Sequence, residues 1–293
     1  MKILLTGKTG QVGYELERTL QGVGEVLALD RQQMDLGDLD QVRDVIRAIK
    51  PQLIINPAAY TAVDLAESNL DIAMRINADA PEVMAAEAKK LGAAMIHYST
   101  DYVFDGEKTE SYTEDDVPHP QSVYGRSKLA GEQAIQAAGI PHLILRTSWI
   151  YGLRGKNFLL TVQRLAQERD ELRIVVDQFG APTWSRTLAE VSAHAICQLQ
   201  GGGTQANLDH DAWSAHSGLY HVTAQGRTSW HGFTQAIVAH SPGLKKPVVT
   251  PIATQDYPLP AKRPQNSLLS SRRFMQTFCS LPEWDAALKL CVD

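Results

Sequence analysis

The sequence predicts an α/β fold: a Rossmann-like, doubly wound parallel sheet followed by a smaller, irregular C-terminal region. Short apolar runs alternate with stretches of helical spacing through the first half of the chain. A glycine-rich loop joins the first run to the first helical stretch. The rhythm then breaks after about residue 150. Strands separated by helices indicate βαβ units, hence a parallel sheet with right-handed crossovers.

Residues 2–6, 25–29, 53–56, 94–98 and 143–146 read as strands, continuously apolar as strands covered on both faces must be. Between them, 11–20, 39–49, 78–91 and 123–138 carry apolar residues three to four apart, the helical period. The last helix stops at Gly139, with Pro141 just beyond. Further on, 173–176 and 219–222 read as strands, and 158–168, 187–199 and 230–239 as helices. Gly201-Gly202-Gly203 signals a loop, and 242–264 is rich in proline with no long periodic run.

Composition narrows the function classes. With 44% apolar and 21% charged residues the chain is ordinary globular material, neither disordered nor collagen-like. The net charge of −5 gives no footprint for nucleic acid or an anionic membrane. Cys197, Cys279 and Cys291 form no CxxC pair, so neither a disulfide framework nor a zinc site is expected. The first six residues are too short an apolar stretch for a signal peptide, and no apolar window reaches membrane-spanning length. A cytoplasmic protein without nucleic-acid or membrane partners is expected.

Residues 6–13 read TGKTGQVG, with Gly7, Gly10 and Gly13 between the first strand and first helix. Missing β-carbons let such a loop turn sharply and approach a pyrophosphate, and the helix N-terminus presents free N–H groups. A nucleotide-triphosphate P-loop is excluded, because the glycine it needs five residues before Gly7-Lys8 is Lys2. Asp30 ends the second strand, 17 residues after Gly13, where a carboxylate would meet the adenosine ribose of NAD. Arg31 beside it would suit the 2′-phosphate of NADP or stand as a solvated charge, so NADH and NADPH both stay open. Asp35 and Leu36 are expected to flank the adenine. Residues 1–150 then form a dinucleotide-binding domain, joined by a helix near 186–199, and 151–293 form mainly a discontinuous substrate-binding region. In such sheets ligands sit in the crevice at the C-terminal strand ends.

Tyr124-Gly125-Arg126-Ser127-Lys128 is a YxxxK element on an expected helix, and a spacing of four puts tyrosine and lysine on one face. An ammonium beside a phenol favours phenolate and would lower the tyrosine's pKa, so that it can exchange a proton with a carbonyl oxygen. Thr100, just after an apolar strand, can offer a hydroxyl to the same oxygen.

Together these motifs resemble the extended short-chain dehydrogenase/reductases and, within them, the dTDP-4-dehydrorhamnose reductase family. The narrower likeness rests on residues 56–64 (NPAAYTAVD), 99–106 (STDYVFDG), 124–128, 146–152 (RTSWIYG), 177–183 (DQFGAPT) and 261–267 (AKRPQNS). It implies hydride delivery from NADH or NADPH to C4 of a dTDP-4-keto sugar. Tyr124, Lys128 and Thr100 would be catalytic. Gly7, Gly10, Gln11, Val12, Gly13, Asp30, Asp35, Leu36, Ala59, Tyr60, Thr61, Tyr98, Tyr124 and Lys128 would line the cofactor. Thr100, Asp101 and Trp149 would meet the sugar, and Arg263 a phosphate or solvent. Related dehydratases place Asp-Glu after the catalytic threonine, whereas this chain has Asp101-Tyr102. Epimerases stay open, as does a non-catalytic nucleotide-binding subunit, although the intact catalytic set favours an enzyme. The resemblance also implies a homodimer and a Mg²⁺ at its contact, with Glu15 and Glu190 at matching positions. Val292 stands where the third acid belongs, with Asp293 beside it, so solvated helix glutamates are the reading adopted.

Overall fold

The computed structural model of the chain describes residues 1–200 and 208–293, and Gly201-Gly202-Gly203 lies outside them. Five strands of the first half pair in parallel: β1 (Lys2–Leu5), β2 (Glu25–Ala28), β3 (Leu53–Asn56), β4 (Ala94–Thr100) and β5 (His142–Thr147). Between them run α1 (Gln11–Thr19), α2 (Leu39–Ile49), the short α3 (Val63–Ala66) and α4 (Leu70–Met74), then α5 (Ala80–Leu91) and α6 (Val123–Ala138). All seven residues of β4 are buried, as expected of a central strand covered on both sides.

Beyond β5 the chain leaves the sheet. β6 (Ile150–Tyr151) pairs with β9 (Thr183–Trp184). β7 (Glu171–Val175) and β8 (Phe179–Gly180) lie between them in sequence, and α7 (Phe158–Glu168) precedes β7. The chain returns through α8 (Ser185–Gln198) and α9 (His210–Ala215) to β10 (Gly218–His221), which docks parallel to β5. The central sheet therefore has six strands, ordered β10-β5-β4-β3-β1-β2. The strand read at 219–222 belongs to this sheet; its pairing with β5 spans some 75 residues of sequence, which no local pattern encodes. Then follow β11 (Thr228–Ser229), α10 (Trp230–His240), β12 (Val248–Ile252), α11 (Arg272–Thr277) and α12 (Trp284–Val292). The proline-rich stretch supplies β12, which pairs parallel with β7 along its whole length.

Two apolar layers cover the sheet. On one face Ile3, Leu5 and Leu16 pack with Leu188 and Ile196 of α8. On the other, Leu4 and Ile54 pack with Val42 and Ile46 of α2 and Met84 and Ala88 of α5. A third cluster, built on Tyr151, Leu159, Phe233, Ile237 and Leu288, holds the C-terminal region together. Among the described residues no helix is long and apolar enough to cross a membrane.

Candidate active site

Two cavities open along the C-terminal ends of the sheet strands, the crevice where α/β sheets bind ligands. The first, of about 610 Å³, lies over the glycine loop. Its wall holds all fourteen residues expected to line a dinucleotide, from Gly7 through Asp30 and Tyr60 to Lys128. Gly7 adopts a left-handed φ of 62°, and a β-carbon on Gly13 would collide with the Gly7 carbonyl oxygen. The loop thus requires glycine at both places. The Asp30 carboxylate accepts from the amides of Gln32 (3.0 Å) and Gln33 (3.2 Å) and faces Lys8 at 3.5 Å. Arg31 reaches instead to Asp35, at 3.3 Å. The donor set, a glycine loop followed by a carboxylate at the second strand's end, fits a dinucleotide.

Tyr60 is held by a residue that the sequence patterns do not single out. A π-helical turn at Arg75–Asp79 precedes α5 and places Asn77 in the core. Its carboxamide accepts from Tyr60 N (2.8 Å) and donates to Tyr60 O (3.0 Å) and Ser127 Oγ (3.0 Å). Such turns recur at functional sites.

The second cavity, of about 770 Å³, is walled by Tyr102, Trp149, Gln178, Trp230, Arg263 and Ser267 among others. Trp149 adopts φ 50°, a left-handed conformation that costs a bulky residue about 1–2 kcal/mol. It is held there by a stack on Trp230, with ring centroids 3.5 Å apart and planes 8° from parallel. A β-carbon at Gly180 would enter the Trp149 ring, so glycine is required beneath it. Arg263 does not stand free: its Nη2 donates to Asp64 at 2.7 Å.

The YxxxK helix borders the first cavity, whose wall holds Tyr124 and Lys128. Ser122 caps α6, its Oγ accepting from Gly125 N (3.1 Å), so Tyr124 and Lys128 start the helix one turn apart. The Thr100 hydroxyl is within hydrogen-bonding reach of the Tyr124 phenol and donates to Asp101 Oδ1 at 3.0 Å. Thr100 and Asp101 are buried behind the cavity walls, and Asp101 Oδ2 has no partner. Burial pushes the Asp101 carboxyl up to about 6, against hydrogen bonds from Ser267 and Thr100.

Tyr124 departs from expectation. Its phenol is pushed up to about 12 by the protein packed around it and by the Asp101 charge, Thr100 opposing, rather than lowered by Lys128. The cause is where the lysine points: its Nζ donates to Tyr98 O (2.7 Å) and lies 3.0 Å from His97 Nε2. Glu15 and Glu190, read from the sequence as solvated helix glutamates, both lie near Arg186. Glu190 accepts from Arg186 at 2.8 Å, and the Arg186 guanidinium is also close enough to feel the Glu15 charge. Among the described residues no three His, Cys, Asp or Glu side chains gather as a metal set.

A glycine loop on a parallel sheet, an acid after β2 and a Thr–Tyr–Lys set at the crevice define an extended short-chain dehydrogenase/reductase. Comparison with known proteins narrows this. The family model described as RmlD substrate binding domain matches residues 1–293. A dTDP-4-dehydrorhamnose reductase of Burkholderia thailandensis is 47% identical over 100% of this chain and 98% of its own. A solved structure of the reductase of that name from Clostridium acetobutylicum superposes with a TM-score of 0.90 at 39% identity, covering 100% of this chain and 99% of that one. The one from Bacillus anthracis, solved in complex with NADP, gives 0.88 at 34% identity over 99% and 98%. The chain belongs to the dTDP-4-dehydrorhamnose reductase family.

Proposed function

We propose that this chain reduces the C4 ketone of dTDP-4-dehydro-β-L-rhamnose with NADPH or NADH, giving dTDP-β-L-rhamnose. The observation that carries the reading is the placement of Tyr124 and Lys128 in the wall of the glycine-loop cavity, with the Thr100 hydroxyl within hydrogen-bonding reach of the Tyr124 phenol. The names of its relatives support the same reaction, and the Bacillus anthracis complex supports NADP as a partner for the first cavity.

The bound dinucleotide would supply the hydride to C4. Tyr124, protonated across neutral pH, donates its proton to the C4 oxygen as charge builds there. Thr100, within reach of the phenol, favours the phenolate left behind, and Lys128, held by Tyr98 O and His97, faces the cofactor cavity it lines. Trp149 meets the sugar from the wall of the second cavity, whereas Asp101, expected to do the same, is buried behind that wall and accepts from the Thr100 hydroxyl. We assign residues 1–150 with α8 mainly to cofactor binding and the remainder mainly to substrate binding. The three cysteines are free, in keeping with a reducing, cytoplasmic setting. The test is an assay coupling dTDP-glucose, an upstream dehydratase and an epimerase to this protein, following NADPH and NADH oxidation. Formation of dTDP-rhamnose is expected. With dTDP-glucose and NAD⁺ alone no 4-keto-6-deoxy sugar should form, because Tyr102 stands where elimination needs a second carboxylate. Its formation at catalytic rates would place the chain among the dehydratases.

A further inference from the structure

Behind the site runs a buried polar chain that the reaction scheme does not use. Lys128 Nζ is 3.0 Å from His97 Nε2, and the other ring nitrogen, Nδ1, is 3.2 Å from the Asn56 side-chain amide. Asn56 in turn lies 2.6 Å from Thr6 Oγ1, which also accepts from Ala58 N at 3.4 Å. All four side chains are buried. They stand on α6, β4, β3 and the end of β1, so the chain crosses the sheet beneath the phosphate loop.

Proton inventory fixes its direction. An ammonium only donates, and a neutral imidazole carries a single N–H. His97 is neutral, held so by burial and by the neighbouring Lys128 charge. Were Asn56 to present its NH₂ to Nδ1 while Lys128 donates to Nε2, the ring would have no proton at all. Burial brings Lys128 down to about 8, with Glu132 favouring its charge, so at neutral pH it remains an ammonium. The reversal therefore falls on Asn56, whose oxygen and nitrogen are interchangeable in shape.

We infer that His97 is the positioning residue of this site: it accepts from Lys128 through Nε2 and donates from Nδ1 to the Asn56 carboxamide oxygen. Asn56 then donates its NH₂ to Thr6 Oγ1. Both lone pairs of that oxygen are thereby used, and the Thr6 proton is free for an oxygen acceptor in the cavity it lines. At the other end, Tyr98 O and His97 occupy two of the three Lys128 N–H groups, leaving the third for a hydroxyl in the same cavity. The chain orders both ends of the cofactor cavity at once. This rests on the assignment of Lys128 as partner of Tyr124.

Other charges near Lys128 are few. Glu132 lies one turn further along α6 and is engaged by Arg146 of β5 through 2.9 and 2.6 Å bonds. Tyr124 precedes it on the same helix, Asp101 follows β4, and the Tyr98 hydroxyl donates to Ser192 of α8 at 2.7 Å. None of these is placed to accept from Nζ as the imidazole does.

The test begins with histidine ¹⁵N NMR on the full-length wild-type protein, with His97→Gln used only to assign the signal. An Nδ1–H tautomer that does not titrate between about pH 5 and 8 is expected. An Nε2–H tautomer or an imidazolium overturns the inference. The second arm compares His97→Gln, which puts a carboxamide where Nε2 stood, with His97→Asn, which puts one where Nδ1 stood. His97→Asn should lower kcat roughly 10²-fold, as a misplaced catalytic group does, and move the alkaline limb of the pH profile to lower pH. KM for the sugar nucleotide should hold, and His97→Gln should restore most of kcat and the limb. Equal losses in both variants with an unmoved limb would make His97 a packing residue. Should Tyr124→Phe retain full activity, the assignment of the reaction fails, while the tautomer result stands by itself.

Discussion

At the scale of single residues, the site separates proton donation from charge stabilisation. With its phenol pushed up to about 12, Tyr124 is protonated at neutral pH, which suits the proposed role of acid. Replacing it with Phe removes the donor and keeps the ring. Tyr124→Phe is expected to lose about 10²–10⁴-fold in turnover. NADPH binding, followed by fluorescence titration, should stay near wild type; near-normal turnover would remove Tyr124 from the mechanism. Asp30 poses a different question. Its carboxylate is oriented by two backbone amides and balanced by Lys8, so it can accept from a ribose hydroxyl yet repels a 2′-phosphate only weakly. Asp30→Ala should therefore weaken NADH more than NADPH. Equal changes in the two dissociation constants would show that the ribose lies elsewhere.

At the scale of elements, α2 and α5 are joined by a carboxylate that two cations share. Glu87 on α5 is buried and accepts two bonds from Arg47 of α2, at 2.9 and 3.0 Å, and one from Lys90 at 2.6 Å. The Arg47 hydrogen bonds, with smaller help from Lys90, hold it at about 2, below the ordinary 4.5. A depressed carboxylate stabilises the fold above its unfolded pKa and loses that contribution as pH falls through its folded one. Glu87→Gln should cost about 1–2 kcal/mol in urea melts at pH 7, and the gap to wild type should close between pH 4.5 and 2. A gap of equal size at both ends would mean that the pair contributes packing alone. The same helices show what a sequence makes legible. α2 spans Leu39–Ile49 and α6 spans Val123–Ala138, the ranges their patterns predict, because each end is written locally. Asp38 and Ser122 cap the starts through their side chains, and Lys50 and Gly139 turn left-handed at the ends. The π turn holding Asn77, the stack of Trp149 on Trp230 and the contact of His97 with Lys128 left no such mark. Each depends on a partner brought close by the fold, 31 residues away in the case of His97. A histidine inside the otherwise apolar run 94–98 is the one local hint.

At the scale of the whole molecule, the half that carries the glycine loop is not finished where its motifs end. Of the layer covering β1, β3 and β5, a large part comes from after residue 150: Leu188, Ile196 and Leu199 around α8, Trp213 of α9, Val222 after β10 and Phe274 of α11. The edge of the sheet beyond β5 is closed by β10. The C-terminal region depends on the first half in the same way, since Arg263 and the amide of Ala261 are anchored on Asp64. Burying a large apolar side chain is worth about 1.5–3 kcal/mol, so six of them rival the ~5–15 kcal/mol by which a typical domain is stable at all. A fragment ending at residue 150 keeps the glycine loop, Asp30, Tyr124 and Lys128. It nevertheless exposes Ile3, Leu16 and Leu145 to water and leaves β5 as an unpaired edge. Such a fragment is expected to show no cooperative urea transition and no NADPH binding, whereas the full chain unfolds cooperatively. Adding back residues 151–293 as a separate chain should restore binding only if α8 and β10 dock. A fragment that folds and binds the dinucleotide unaided would show that the sheet needs neither, and that the dinucleotide site is complete by residue 150.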